Sequence, residues 1–124
     1  MTDTLGRLLT MVGAGFEGDA DEAADAFAGD AVFVDQPGEP PLRGPDEIRE
    51  HFLAFGGRRE RFLVGEVVDA GDRAAVEYAV AFRADAHAYG QRGVALIRLR
   101  DGLIASWRAV WVETDEDLSH WGND

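Results

Sequence analysis

The stretch Val-Ala-Leu-Ile-Arg-Leu-Arg-Asp-Gly-Leu-Ile-Ala-Ser-Trp-Arg-Ala-Val-Trp-Val, residues 94–112, decides the fold class. Its two apolar halves flank Asp101-Gly102, a two-residue signal for a tight hairpin between antiparallel strands. The same alternation of apolar and polar residues continues upstream. The second half of the chain therefore predicts a meander of four long strands, at about Arg61 to Val68, Ala74 to Phe82, Tyr89 to Arg100 and Leu103 to Val112.

The first half of the chain has helical periodicity instead. Apolar residues recur at helical spacing from about Thr4 to Gly15, which predicts an amphipathic first helix. Asp19 and Glu22 resemble a capping box, and the apolar stripe of the second helix they begin extends to Phe27. Gly29-Asp30 is expected to end this helix.

A short strand and a third helix separate these two halves. The run Ala31–Asp35 is β-rich and stops at a loop over residues 36–41, so Asp35 lies at the end of a strand. Pro45 suits the first position of a helix, which Gly56-Gly57 closes. The order ααβαββββ predicts one α+β domain over residues 1–124.

Strand parity indicates what each face of the sheet does. In the second long strand the bulky residues share one face, which should lie toward the helices: Val76, Tyr78, Val80 and Phe82. In the last strand Trp107, Ala109 and Trp111 alternate with Ser106, Arg108 and Val110, so both faces carry apolar residues. An apolar outer face around Val94, Leu96 and Val110 predicts a homodimer.

Composition excludes several function classes. Twelve basic residues, all arginine, against 24 acidic ones give a formal charge of −12, so neither nucleic acid nor a membrane is expected as a partner. The chain has no cysteine and no lysine, and neither Ser106 nor Ser119 lies in a nucleophile elbow. The three histidines lack metal-site spacing. No cofactor or metal is expected, and the absence of a leader or long apolar run predicts a cytoplasmic protein.

Three segments resemble the corresponding parts of bacterial ketosteroid isomerases: Phe27–Asp35, Gly38–Gly44 and Ile48–Glu50. The resemblance covers nearly the whole chain and implies the nuclear transport factor 2-like superfamily, with SnoaL-like polyketide cyclases and limonene epoxide hydrolases as relatives. It implies a cone-shaped, curved antiparallel sheet wrapped by three N-terminal helices. It also implies a deep apolar pocket and frequent dimers.

The resemblance assigns roles to individual positions. Asp35 matches the isomerase's catalytic aspartate, the general base of a reaction in which a tyrosine and a protonated aspartic acid stabilise the dienolate. Met11 and Ala95 match those two donors, so neither donor is present. Epoxide hydrolases have an aspartate after a Trp-Arg pair, whereas here Ala109 follows Trp107-Arg108.

The residue pattern and the family resemblance together define a candidate site. Asp35 is the predicted general base, with a loop-capping aspartate as the alternative, and His51, which matches a pocket phenylalanine, is its predicted partner. Tyr78, Trp107 and Trp111 bring polar hydrogens to an apolar interior, or else simply pack in the core. Substrate contacts are predicted at Met11, Phe33, Phe55, Tyr78, Gln91, Ala95, Trp107 and Trp111.

The predicted function is a cofactor-independent enzyme of the isomerase or cyclase type. Its expected substrate is a hydrophobic polycyclic or polyketide-like carbonyl compound. Two alternatives remain open from the sequence: a non-catalytic binding or dimerisation module, and an epoxide hydrolase-like enzyme.

Overall fold

A computed structural model of the chain describes residues 3–54, 59–84, 87–118 and 121. Within these ranges, three helices and six strands form one curved, unclosed sheet with the strand order β2-β1-β6-β5-β4-β3. The elements are α1 (Asp3–Phe16), α2 (Ala20–Asp25), β1 (Phe27–Val34), β2 (Leu42–Arg43), α3 (Gly44–Ala54), β3 (Arg59–Asp69), β4 (Arg73–Ala84), β5 (His87–Arg100) and β6 (Leu103–Thr114).

The predicted meander is confirmed. β3, β4, β5 and β6 pair antiparallel in chain order. Asp101 and Gly102 both have positive φ, 54° and 78°, as a tight hairpin between twisted strands requires. β1 then pairs in parallel with β6, and Phe33 lies opposite Trp107. This is the one parallel pairing in the described sheet.

The predicted boundary between α2 and β1 is wrong. The Asp19 side chain accepts from the Glu22 backbone N–H at 3.1 Å, as the capping box requires, but α2 ends at Asp25. Phe27, assigned to the helix by its spacing, lies in β1 opposite Ile104, whose N–H donates to the Ala26 carbonyl at 2.9 Å. Pairing with β6 therefore overrides the local helical pattern. The two-residue strand β2 was not predicted at all.

A β-bulge in β6 decides which of its residues face the core. Arg98 lies opposite Ser106 and Leu99 opposite Ile104, so Ala105 takes no part in the register. The extra residue shifts the alternation by one. Ile104 before it and Trp107 after it consequently both face the core, and both are fully buried.

The helices cover the inner face of the sheet. The four bulky β4 residues predicted to face the helices all belong to the core: Val76, Tyr78, Val80 and Phe82. Gly15 permits α1 to approach α2, because a Cβ there would lie 2.2 Å from the Cβ of Ala23.

Arg49 links α3 to α2 through Asp21 at 2.9 Å. The hydrogen bond that Arg49 donates to Asp46 and the charge of Asp21 raise the pKa of Arg49, which stays protonated.

The chain's C-terminal segment covers part of the outer face. Leu118 is 3% exposed and packs against Leu63, Ala79 and Ala81. The guanidinium of Arg92 lies 5.5 Å from the centre of the Trp121 ring. The acidic residues from Glu113 to Asp117, which their charge predicts to be solvated, are exposed, whereas the burial of Leu118 was not predicted. None of the described helices combines the length and apolarity needed to cross a bilayer.

Candidate functional site

Asp35 directly follows β1, at the point where that strand leaves β6. The last paired residue, Val34, lies opposite Arg108. Only 8% of the Asp35 surface is exposed, so its carboxylate lies inside the protein rather than in solvent. Burial of a carboxylate is costly and therefore marks the position as one with a role beyond solubility.

Gln36 holds this segment against β6 with its side chain. Its Nε2 donates to the Trp111 carbonyl at 2.8 Å, and the Trp111 N–H donates to Gln36 Oε1 at 2.9 Å. The amide thus replaces a backbone peptide and extends the β1–β6 ladder past the end of the strand. This role of Gln36 was not predicted, because a glutamine before a proline carries no signal for such a pairing.

His51 lies next to Asp35. It is near the C-terminal end of α3, and its Nε2 lies 3.9 Å from Asp35 Oδ1. That distance is too long for a hydrogen bond but short enough for charge interaction between an imidazolium and a carboxylate. The imidazole ring also packs on Phe33 and Phe52, with centroids 5.2 and 5.5 Å away.

An array of aromatic rings continues inward from this pair. Phe33 stacks on Trp107 with centroids 5.9 Å apart, and Trp107 lies 6.1 Å from Tyr78. Phe62 stacks on the other side of Tyr78 at 5.7 Å. The structure therefore brings five of the predicted site residues into one contiguous group: Asp35, His51, Phe33, Trp107 and Tyr78.

Two indole N–H groups in this interior have no acceptor within the described part of the chain. These are Nε1 of Trp107 and Nε1 of Trp111, both buried atoms. An unsatisfied buried donor costs about 1–3 kcal/mol, and native proteins contain few of them. Both donors come from the same face of β6, where a ligand oxygen or a water molecule would satisfy them.

The remaining predicted contacts differ in their positions. Met11 packs half-buried against the core, and Ala95 is fully buried on β5, one pleat from Gly93, which pairs with both Tyr78 and Trp111. Gln91 is buried opposite Val80. Phe55 lies outside the described residues. Among the residues that are described, no three histidine or carboxylate side chains gather closely enough to hold a metal ion.

Comparison with known proteins gives a family and a fold. Residues 8–107 match the family described as a SnoaL-like domain. A hypothetical protein from Catenulispora acidiphila with a ketosteroid isomerase-like fold, solved with trimethylamine, is 19% identical, with a TM-score of 0.71 and 82% of each chain covered. An epoxide hydrolase from M. tuberculosis, described as LEH-like, is 18% identical, with a TM-score of 0.73, covering 90% of this chain and 84% of the other. A search of curated proteins finds no match.

The double hydrogen bond of Gln36 gives a direct test of what holds Asp35 in place. We expect Gln36→Ala to lower the free energy of unfolding by about 1–3 kcal/mol, because two partly buried groups of Trp111 lose their partners. Glu39→Ala, an exposed change in the same loop, should stay within about 0.5 kcal/mol of the unchanged protein. Urea denaturation measures both, and equal stabilities would show that the Gln36 bonds contribute nothing.

Proposed function

The chain belongs to the SnoaL-like domain family, and from this membership we propose that it is a cofactor-independent enzyme of the isomerase or cyclase type that acts on an apolar carbonyl compound. One observation carries the proposal: a buried carboxylate, Asp35, lies beside an imidazole in an interior that also holds two unsatisfied N–H donors. A base near hydrogen-bond donors suits the removal of a proton next to a carbonyl group.

In the proposed reaction the Asp35 carboxylate takes a proton from the carbon adjacent to the carbonyl. The C–H electrons form a C=C bond, and the C=O electrons move onto oxygen, giving an enolate. Asp35 then returns the proton to another carbon of the conjugated system, which is an isomerisation. Alternatively, the enolate carbon attacks a second carbonyl, whose oxygen takes the C=O electrons and then the proton from Asp35, which is an aldol cyclisation. A positioned general base contributes about 10²- to 10⁴-fold to such a step.

The enolate oxygen needs donors, and this chain lacks those of the ketosteroid isomerases at Met11 and Ala95. The indole N–H groups of Trp107 and Trp111 are the donors that we propose in their place, with Tyr78 beside them. A single well-placed donor is worth about 2.7–4 kcal/mol of transition-state stabilisation. His51 lies 3.9 Å from Asp35, beyond hydrogen-bond distance, and would act on the base through charge when its imidazole is protonated.

The surroundings favour a flat, apolar substrate. Phe33, Trp107 and Tyr78 form an aromatic interior beside Asp35 that suits a fused ring system, and the indole donors would orient its oxygen. A second candidate, a binding module without chemistry, is favoured by the loss of donors at Met11 and Ala95. An epoxide hydrolase is less well supported, because Ala109 supplies no carboxylate after Trp107-Arg108.

The general-base role is testable without knowing the natural substrate. The protein should accelerate exchange of the α-hydrogens of 2-tetralone in D2O, followed by NMR. Asp35→Asn keeps the side chain's shape but removes its basicity, so the rate should fall about 10²-fold or more. Asp25→Asn, which removes the same charge from an exposed helix end, should leave the rate unchanged.

Thermal unfolding of the same variants separates catalysis from loop capping. Asp35→Asn should leave the melting temperature unchanged or raise it, because it removes a buried charge. A destabilised but fully active Asp35→Asn protein would end the general-base proposal. Binding of 2-tetralone without any exchange in the unchanged protein would favour the binding module.

The donor role of the tryptophans predicts a preference for ligands that carry an oxygen. 2-Tetralone should quench tryptophan emission and bind about three- to tenfold more tightly than tetralin, its hydrocarbon counterpart, because only the ketone accepts a hydrogen bond. Trp107→Phe keeps an aromatic ring but lacks the N–H, so it should weaken this preference. Isothermal titration gives the affinities, and an unchanged ketone preference in Trp107→Phe would exclude Trp107 as a donor.

We also propose that the protein is a homodimer built on the exposed part of the outer sheet face. Four apolar side chains, 44–65% exposed, lie together on β5 and β6: Val94, Leu96, Val110 and Val112. Val94 and Val110 are direct cross-strand neighbours beside a cavity of about 390 Å³ that Pro37 and Val34 also line. A two-fold axis would bury this strip, here called the apolar strip, against its own copy.

Light scattering at micromolar concentration should therefore give twice the 13.5 kDa mass of one chain. Val110→Glu places a charge in the apolar strip and should produce a monomer. Val68→Glu, at a valine on β3 that is 60% exposed, should leave the dimer intact. Added salt should strengthen the dimer, because it screens the repulsion between two chains of charge −12. A monomer at all salt concentrations would contradict the proposal.

A further inference from the structure

A second cavity lies on the outer face of the sheet, away from Asp35. It spans about 290 Å³ where β3, β4, β5 and β6 lie side by side. Its lining is formed by nine described residues, three of them arginines and none acidic: Val68, Ala70, Arg73, Ala74, Ala75, Leu96, Ile97, Arg98 and Arg108. The cavity is thus an apolar surface bordered by positive charge.

This arrangement is unusual for a chain with twice as many acidic as basic residues. Several other described arginines have acidic partners, such as Arg83 with Asp117 at 3.7 Å and Arg92 with Glu116 at 3.9 Å. Within the described residues, Arg73, Arg98 and Arg108 form no ion pair. Their charges are therefore not compensated by the protein itself.

The strand register brings these arginines together rather than apart. Arg73 lies directly opposite Arg98 on neighbouring strands, and like charges in that relation are destabilising. Arg98 lies opposite Ser106, so Arg108 is its diagonal neighbour on the next strand. Three cations from three adjacent strands thus meet on one face, and an anion between them would relieve their mutual repulsion.

We propose that this cavity binds a small amphipathic carboxylate, with its charged group on the three arginines and its hydrocarbon part on Val68, Ala70 and Ala75. Guanidinium groups pair with carboxylates through charge-assisted, often bidentate hydrogen bonds. The volume lies near the lower limit of ligand sites, about 300–1,000 Å³, which fits a medium-chain acid. The site is separate from the interior group around Asp35, since its arginines are on the opposite face of the sheet.

Octanoate is a suitable probe, with octanol as the uncharged control of equal length and acetate as the charged control without a chain. Isothermal titration should show octanoate binding at least about tenfold more tightly than either control. Arg98→Gln should weaken octanoate binding about three- to tenfold. Arg43→Gln, which removes the same charge from an exposed position on β2, and Asp35→Asn should both leave it unchanged.

Melting temperatures in low salt give a second readout. If the arginines serve a ligand, Arg98→Gln should not be less stable than the unchanged protein, because it removes a repulsion from Arg73. A lower melting temperature together with unchanged octanoate affinity would overturn the proposal and assign Arg98 to the fold. Octanoate binding that responds to Asp35→Asn and not to Arg98→Gln would place the acid in the interior and also overturn it. Conversion of a dimer to a monomer by Arg98→Gln would assign the arginines to carboxylates of a second copy instead.

Discussion

The parallel pairing of β1 with β6 is the constraint on which the rest of the site depends. It sets Phe33 opposite Trp107, so that their rings stack, and it ends at Val34, so that Asp35 leaves the sheet at a fixed point. The Gln36 side chain then continues the ladder and prevents the loop from lifting away. α3 packs over the same strand and brings His51 to the carboxylate. A change in this one register would separate the base, its neighbour and the aromatic array.

Local chemistry was sufficient to predict the elements whose signals lie close together in sequence. The Asp101-Gly102 hairpin, the Asp19 cap and the alternation in β4 each depend on a few neighbouring residues, and each is confirmed. The start of β1 was predicted wrongly, because the helical spacing of the alanines and Phe27 carries no information about β6. The partner residue on that strand, Ile104, lies about 77 residues further along the chain. The burial of Leu118 was not predicted for a similar reason, because its contacts Leu63, Ala79 and Ala81 are distant in sequence.

The candidate site, too, was predictable only where its signals lie close together in sequence. Residues 31–41 were sufficient to predict that Asp35 lies at the end of a strand. Its burial could not be predicted, because burial depends on how α3 packs on the sheet. The proximity of His51 to Asp35 could not be predicted from local sequence either, because it depends on how α3 packs on β1. Gln36 was unpredictable, since its amide acts through two backbone groups 75 residues away. Phe55 lies outside the described residues.

The bulge at Ala105 has a consequence for how this chain tolerates change in length. Because Ala105 takes no part in the register with β5, its deletion would leave Ser106 opposite Arg98 and Trp107 opposite Ile97, so each face of β6 would keep its residues. Deletion of a paired residue such as Arg108 would instead turn Ala109 and Trp111 toward the outer face. A loss of one residue at the bulge is thus absorbed, whereas the same loss in the paired part of β6 inverts the strand beyond it. In lineages descended from this sequence, a gap at position 105 should be tolerated, whereas gaps at residues 107–112 should be purged.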